Sequence, residues 1–374
     1  MDNELQLLHQ SLINVKNPED IFGSTNGASN SDDKISTLKR VFVKLAIKAH
    51  PDHFMQQDDK VLANETFKIL NIFWEQAQNK IKQGTYGDNK TPMDVNSINS
   101  THITSKKYDY TLGKLISIGT ISDLYSSNLT KDNINTPTLI KITRESRNND
   151  LLTNEASILK YLRENSQNDK LVDLIPECID SFTVPSTNKI LRQANVFSYN
   201  NRLISLAEVI SAYPNGIDPK DMAWMFKRIL ATLWFAHSKN IIHGAVLPTH
   251  VLLNLENHGI LLVDWTVSVK DNSHYIKAID QNYLDYYPKS VFDKQIPKSD
   301  TDIYMAAMIM IKLLGGDVKN KQVPDIIPKP IRLIIRACIL GMDDAMVVHQ
   351  EFDKVIRELF GQPKFRDFKL PTKN

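Results

Sequence analysis

The chain has 374 residues, enough for two or three folded units of ~100 to 200 residues, and its 42% hydrophobic and 24% charged content is that of an ordinary globular protein. A formal net charge of +2 gives no ground for a nucleic-acid partner or an attraction to membranes. Residues 1–13 include Asp2 and Glu4 and no long apolar run, which argues against a signal peptide or a membrane span and leaves a cytoplasmic protein as the expectation.

Taken in chain order, residues 5–22 read as a short first helix, followed by an Asn-, Gly- and Ser-rich connection over 24–31. Ile35, Leu38, Phe42, Leu45, Ala46 and Ala49 then recur with helical spacing. Ser31, Asp32 and Asp33 suit the N-cap and first turn of this helix, and Pro51 closes it at His50. A further helix is predicted over 59–82, with Val61, Leu62, Phe67, Leu70, Phe73, Trp74, Ala77 and Ile81 as its buried stripe, so two antiparallel helices face each other across a short loop. Residues 84–107 are polar, contain Gly87 and Pro92 and lack apolar periodicity, which reads as a linker.

Beyond it, alternating segments over 110–118, 123–129 and 138–143 predict strands, and a helix follows over 151–163. After residue 203 the pattern turns mainly helical, with helices predicted over 221–238, 300–314 and 331–340 and a strand over 260–263. Strands first and helices afterwards describe a two-lobed α+β unit. The organisation expected is therefore a first unit over 1–87 with its core in 18–87, a linker over 88–106, a second unit over 107–362 with lobes 107–200 and 201–362, and a tail over 363–374. Cys178 and Cys338 are the only cysteines, spaced neither for zinc nor for a disulfide framework, and both are expected as buried thiols.

Arg40, Lys44 and Lys48 stand at i, i+4 and i+8, so they share one helix face while Leu38, Phe42, Leu45 and Ala49 turn toward the neighbouring helix. Alone, such a stripe is a solvated face. Here it runs directly into His50, Pro51 and Asp52, and the helix beyond the loop carries Phe67, Leu70 and Asn71. Residues 18–87 thereby resemble the J-domain of the DnaJ family. The resemblance implies docking on a DnaK-type, seventy-kilodalton heat-shock chaperone and acceleration of its ATPase, with Arg40, Lys44, Lys48, His50, Pro51 and Asp52 as the contact residues. The cations would steer an acidic partner, and the rigid tripeptide would set a polar contact.

Four further segments, in order, resemble the protein-kinase fold over 108–360. Around Gly119 one glycine remains of the three that cover phosphates in that family, and Thr138, Leu139, Ile140 and Lys141 match its third-strand lysine motif. Glu155 falls where the lysine's partner lies, and Lys141 is expected to pair with it. The segment from His243 to Asn254 keeps the histidine, proline and apolar rhythm of the catalytic loop, but Ala245 stands for the aspartate that accepts the substrate hydroxyl proton. A methyl group accepts no proton, so phosphoryl transfer is expected to be crippled.

His250 replaces the asparagine that would hold a second magnesium, and imidazole is a poor ligand for that ion. Asp264 survives as the candidate magnesium ligand and, equally, as a structural acceptor, while Trp265 and Thr266 replace the phenylalanine and glycine after it. Tyr287, Pro288 and Lys289 stand at the end of the activation segment, and a reversed pair of Lys289 with Asp343 or Asp344 is one expectation. Asp302 is expected to hold the backbone of the His243 loop. The resemblances together imply a multidomain protein, an all-α J-domain helical hairpin followed by a two-lobed α+β protein-kinase-like fold. They imply a co-chaperone whose degenerate kinase unit binds a client or partner, or senses nucleotide through Gly119, Lys141, Glu155 and Asp264 with ATP and magnesium as the conceivable ligands. An atypical active Ser/Thr kinase is the alternative.

Overall fold

The structure is a computed structural model that describes residues 3–13, 15, 17–23, 25, 31–50, 54, 56–82, 86, 102–131, 134–166, 169–186, 190–199 and 203–371. The chain divides into two units, Met1–Pro92 and Met93–Asn374.

The first unit is helical, with α1 (Asn3–Ile13), α2 (Pro18–Phe22), α3 (Ser31–Lys48) and α4 (Gln57–Lys82). The single helix expected over 5–22 is split in two. Asn17 is extended, with φ −132° and ψ 145°, and Pro18 lacks the N–H that would continue a preceding helix but suits a first turn. Phe22 then reaches the core, where its ring meets Trp74 edge-on at 5.7 Å while Phe42 stacks on Trp74 at 4.9 Å. Leu38, Leu70, Ala77 and Ile81 are buried around them. Val61, expected in the buried stripe of α4, is exposed, and Ala63 and Thr66 take the inward places. Val61 lies across the helix from that line, which Leu70 continues with i, i+4 spacing. Lys80 pairs with Glu19 at 2.9 Å, and the Tyr86 hydroxyl donates to the Gly23 carbonyl at 3.0 Å, which ties the end of α4 back to α2.

In the second unit, β1 (His102–Thr104), β2 (Asp109–Ile118), β3 (Ser122–Lys131) and β4 (Ile134–Thr143) lead to α5 (Asn149–Glu164), then β5 (Cys178–Pro185) and β6 (Leu191–Ser198). The sheet order is β1-β2-β3-β4-β6-β5. Part of the linker expected over 88–106 is thus a strand, since Ile103 is buried and pairs with Tyr110. The larger lobe follows with β7 (Leu203–Ser205), α6 (Leu206–Ala212), α7 (Pro219–His237), β8 (Ile241–Ile242), β9 (Val251–Asn254), β10 (Gly259–Leu262), β11 (Val269–Lys270), α8 (Lys289–Phe292), α9 (Ser299–Leu313), α10 (Lys329–Ile339) and α11 (Ala345–Phe360). Helix α9 is buried along nearly its whole length, and α11 closes on α7 through Phe226 and Phe352, 5.0 Å apart. Two-lobed α+β architecture is therefore present as expected.

The residues expected as a tail beyond 362 are docked on the larger lobe as far as they are described. Phe368 is buried, Arg366 forms ion pairs with Asp218 and Asp221, and Phe365 stacks on His258, which stacks in turn on Trp224. Cys338 is buried and Cys178 half-buried, both free, and burial pushes each thiol up to about 12. No helix among the described residues is long and apolar enough to cross a membrane.

Candidate functional site

On α3 the side chains of Arg40, Lys44 and Lys48 all face solvent, as their spacing predicts. Lys48 is ion-paired with Glu4 of α1. Exposed Val43 and Ile47 run between these cations, a mixed basic and apolar face. The helix gives way to an exposed His50, whose ring meets Phe67 of α4 edge-on at 5.8 Å. Pro51 and Asp52 lie outside the described residues.

The second unit holds a cleft of about 1040 Å³ between its lobes, lined by Lys141, Glu155, Ala245, His250 and Asp264 among others. Lys141 projects from β4 and Glu155 from α5, and they meet at 2.9 Å. Asn195 fixes the far side of the pair, donating at 3.1 Å to Glu155 Oε2 and at 2.8 Å to the Leu152 carbonyl. Asp264 adopts φ 63°, a left-handed conformation that aspartate tolerates better than bulkier residues, and this brings its Oδ1 to 3.3 Å from Lys141 Nζ. Thr266 donates to the same oxygen at 2.6 Å, and His250 Nε2 lies 3.6 Å from Oδ2.

Burial opposes the charge on Asp264, but Lys141 first and then His250 and the Thr266 hydroxyl outweigh it and hold the carboxyl well below the usual range. On Glu155 the same effect of burial prevails and raises it, against the pull of Lys141 and with Asp264 adding to the rise. Lys141, flanked by two carboxylates that overcome its burial, keeps its proton.

The catalytic-loop region hangs from Asp302 on α9. The His243 N–H donates to Asp302 Oδ2 at 2.7 Å, the Gly244 N–H donates to Oδ1 at 2.8 Å, and His237 Nε2 adds a contact at 2.9 Å, so the expected anchor is in place. Gly244 has φ 76°, and a Cβ there would press on Ile276 at 3.2 Å, which explains the glycine. Ala245 offers a methyl group to the cleft, and its carbonyl accepts from His250 Nδ1 at 2.8 Å. His250 is thus a loop brace that faces Asp264. Gly119 is a turn residue: its N–H donates to the Ser122 carbonyl at 3.0 Å, and a Cβ would lie 2.6 Å from that oxygen.

After Asp264 the chain is clamped. Trp265 is fully buried, donates its backbone N–H to Glu155 at 3.2 Å and its Nε1 to the Leu262 carbonyl at 2.8 Å. Asn154 donates to the carbonyls of Thr266 at 3.1 Å and Ser268 at 2.9 Å, and nothing in the sequence marks it, because those partners lie more than a hundred positions away. Asp344 caps α11 through the N–H groups of Met346 and Val347, and among the described residues neither it nor Asp343 pairs with Lys289, so the reversed pair is not formed. Tyr287 is instead a core residue whose hydroxyl accepts from the Asp280 N–H at 3.1 Å.

A magnesium ion prefers hard oxygen ligands at about 2.1 Å and, keeping several waters, usually takes one or two carboxylates from the protein. Here Asp264 has one oxygen committed to Lys141 and Thr266 and the other facing an imidazole, and among the described residues no three histidine, cysteine or acidic side chains converge as a metal site. The donor set does not fit the ion.

His243 gives the site a pH dependence. It is fully buried, its Nε2 donates to the Val263 carbonyl at 3.1 Å and its Nδ1 accepts from the Ala245 N–H at 3.2 Å. Burial pushes the ring down to about 4 against the pull of Asp302. The unfolded chain, with an ordinary histidine near ~6.5, therefore takes up the proton first as pH falls. Stability is whole above that value and drains toward pH 4, by about 2 kcal/mol between pH 7 and pH 5. Urea unfolding at the two pH values should show this loss, and His243→Gln should flatten it; an unchanged slope in the variant would contradict the assignment.

No family model matches the chain. A stretch of 95 residues is 30% identical to calcium-dependent protein kinase 5 of Plasmodium falciparum (isolate 3D7), which covers 25% of this chain and spans 16% of that protein's length. Among solved structures the BubR1 kinase domain superposes with a TM-score of 0.53 at 14% identity, over 76% of this chain and 92% of its own. At that identity the likeness shows the fold: the chain contains a two-lobed, protein-kinase-like unit.

Proposed function

We propose that the chain is a J-domain co-chaperone, in which the first unit stimulates the ATPase of a DnaK-type chaperone and the kinase-like unit binds a client or partner without transferring phosphoryl groups. The observation that carries this reading is the exposed basic face of α3, Arg40 and Lys44 above all, running directly into the exposed His50. Packing of Phe22, Phe42 and Trp74 holds α3 against α4, so the face is presented on a preorganised scaffold. Exposed cations of this kind raise association rates with an acidic partner more than they raise affinity.

On the other side, Ala245 supplies no base, and the carboxylate of Asp264 is engaged by Lys141. Steady-state ATP turnover by the cognate chaperone should rise when the whole chain is added, and the rise should shrink as salt screens the α3 face. A chain inert toward that chaperone at low salt would sink the reading. The alternative of an atypical protein kinase draws on the retained Lys141–Glu155 pair at 2.9 Å, because positioning and electrostatics carry much of phosphoryl transfer. Labelled-phosphate transfer that disappears in Lys141→Ala would favour it.

A further inference from the structure

We propose that the seat of residues 363–371 on the larger lobe is a docking groove for an extended peptide with an arginine, an aromatic residue two positions later and an aliphatic one two further on. The chain's own end holds the groove shut until a partner carrying that pattern displaces it. This gives a place to the partner binding proposed for the kinase-like unit, on which it rests, and it does not depend on the chaperone activity of the first unit. The segment itself supplies the pattern. Arg366, Phe368 and Leu370 turn toward the lobe at every second position, while Asp367 and Lys369 stay exposed, the alternation of an extended chain. Phe368 meets the Tyr213 ring at 5.6 Å, and Phe365 lies on His258 at 4.2 Å.

The lobe's side of this contact selects for a cation. Asp218 caps α7, its Oδ1 accepting from the Lys220 N–H at 2.8 Å, which leaves Oδ2 facing Arg366 at 3.2 Å. Asp221, 8% exposed beneath the tail, has its carboxyl raised by burial, and Arg366 is foremost among the groups that pull it back. Any segment lying there takes this carboxylate out of water, so the occupant must bring a positive charge. The tail's own grip is incomplete. Among the described residues no backbone-to-backbone hydrogen bond joins 362–371 to the lobe; instead His258 Nε2 and the Tyr213 hydroxyl donate to the carbonyls of Arg366 and Lys369. The Trp224 indole N–H and Asp221 Oδ1 are buried without a hydrogen-bond partner, although Arg366 Nε lies 3.1 Å from that oxygen as an ion pair. Polar groups buried in this way are unfavourable, so a segment that satisfies them has an advantage over the tail. Gly361 ends α11 at φ 79° with nothing within 4 Å of a Cβ, and Gln362 and Pro363 are exposed, so the tail can leave without disturbing the helix.

The test titrates the whole chain with a fluorescent synthetic peptide of the sequence of residues 363–371, read by anisotropy. No chaperone is present, so a failure here leaves the ATPase reading of the first unit where it stands. Arg366→Ala combined with Phe368→Ala should release the tail. The peptide should then bind at least about tenfold more tightly than it binds the parent chain, where a tethered competitor acts at about millimolar effective concentration. A peptide with alanine for its arginine should bind the opened variant about tenfold more weakly, and adding Asp221→Asn should weaken the original peptide by a similar factor. A second measurement needs no substitution: in the parent chain the amides of residues 364–370 should exchange with deuterium faster as peptide is added. Equal affinity for the parent and opened chains, or none for either, would overturn the proposal. So would indifference to the peptide's arginine, or tail exchange unchanged at millimolar peptide, or an opened variant that pairs with a second copy of itself and ignores the peptide.

Discussion

Asp302→Ala is expected to cost the second unit about 3 to 5 kcal/mol of stability, the loss being read from the midpoint of urea unfolding. The side chain has no exposed surface, and each of its oxygens accepts from a backbone N–H, His243 at 2.7 Å and Gly244 at 2.8 Å. Alanine would leave both donors buried without a partner and would strip His237 of its 2.9 Å contact as well. An unsatisfied buried N–H costs about 1 to 3 kcal/mol, which sets the scale. Asp302 also stands in the first turn of α9, where the helix dipole favours a negative group. An asparagine side chain in its place would keep one acceptor, so Asp302→Asn should lose roughly half as much. Equal losses in the two variants would mean that charge, and not the pair of backbone bonds, is what the site uses.

Lys141→Ala should be as damaging for a different reason. The ammonium is nearly buried, with 11% of the side chain exposed, and stands between Glu155, at 1%, and Asp264, at 30%. Removing it leaves two carboxylates facing each other without a cation, a change of the class that costs about 3 to 5 kcal/mol. The pH dependence of the loss is diagnostic. Burial already raises Glu155, and without Lys141 its folded value moves further above that of the unfolded chain. A group raised in this way binds its proton more tightly in the folded state, so the variant recovers stability as pH falls and loses it as pH rises. The deficit relative to the parent chain should therefore be smaller at pH 5 than at pH 8 in urea unfolding. A deficit that grows on acidification would show that Glu155 stays ionised without Lys141.

What can be seen in the sequence is local. The helix pair of the first unit follows from apolar spacing, and α3 begins at Ser31 as its capping residues indicate. Lys141, Glu155 and Asp302 announce themselves by short runs whose spacing survives because the contacts they make are needed for packing. Other features depend on residues far apart in the chain. The β5–β6 hairpin escapes a periodicity reading: β6 lies between β4 and β5 and is nearly all buried, so it shows no alternation to reveal it. Helix α11 begins just after Asp343 and Asp344, which the sequence offers only as partners for Lys289, although its amphipathic face packs on α7. The docking of the tail rests on the stack of Trp224, His258 and Phe365 and on Arg366 reaching Asp218 and Asp221, pairings that mostly join residues more than a hundred positions apart. His250 can be seen as a replaced asparagine, but its bracing of the Ala245 carbonyl requires the loop's three-dimensional path.

The kinase-like unit thus keeps the contacts that hold its lobes and loops together, at Glu155, Asn154 and Asp302, and has a methyl group where the fold's chemistry would need a base. On the first unit the reverse holds, with exposed groups at Arg40 and Lys44 on the solvent face of α3, running to the exposed His50. One measurement separates the two: phosphate release from ATP in a mixture of the whole chain and a DnaK-type chaperone, compared with His50→Gln and with Asp264→Asn. The rise above the chaperone alone should vanish in His50→Gln and persist in Asp264→Asn. A rise that persists in His50→Gln and vanishes in Asp264→Asn would place the activity in the cleft and contradict the co-chaperone reading.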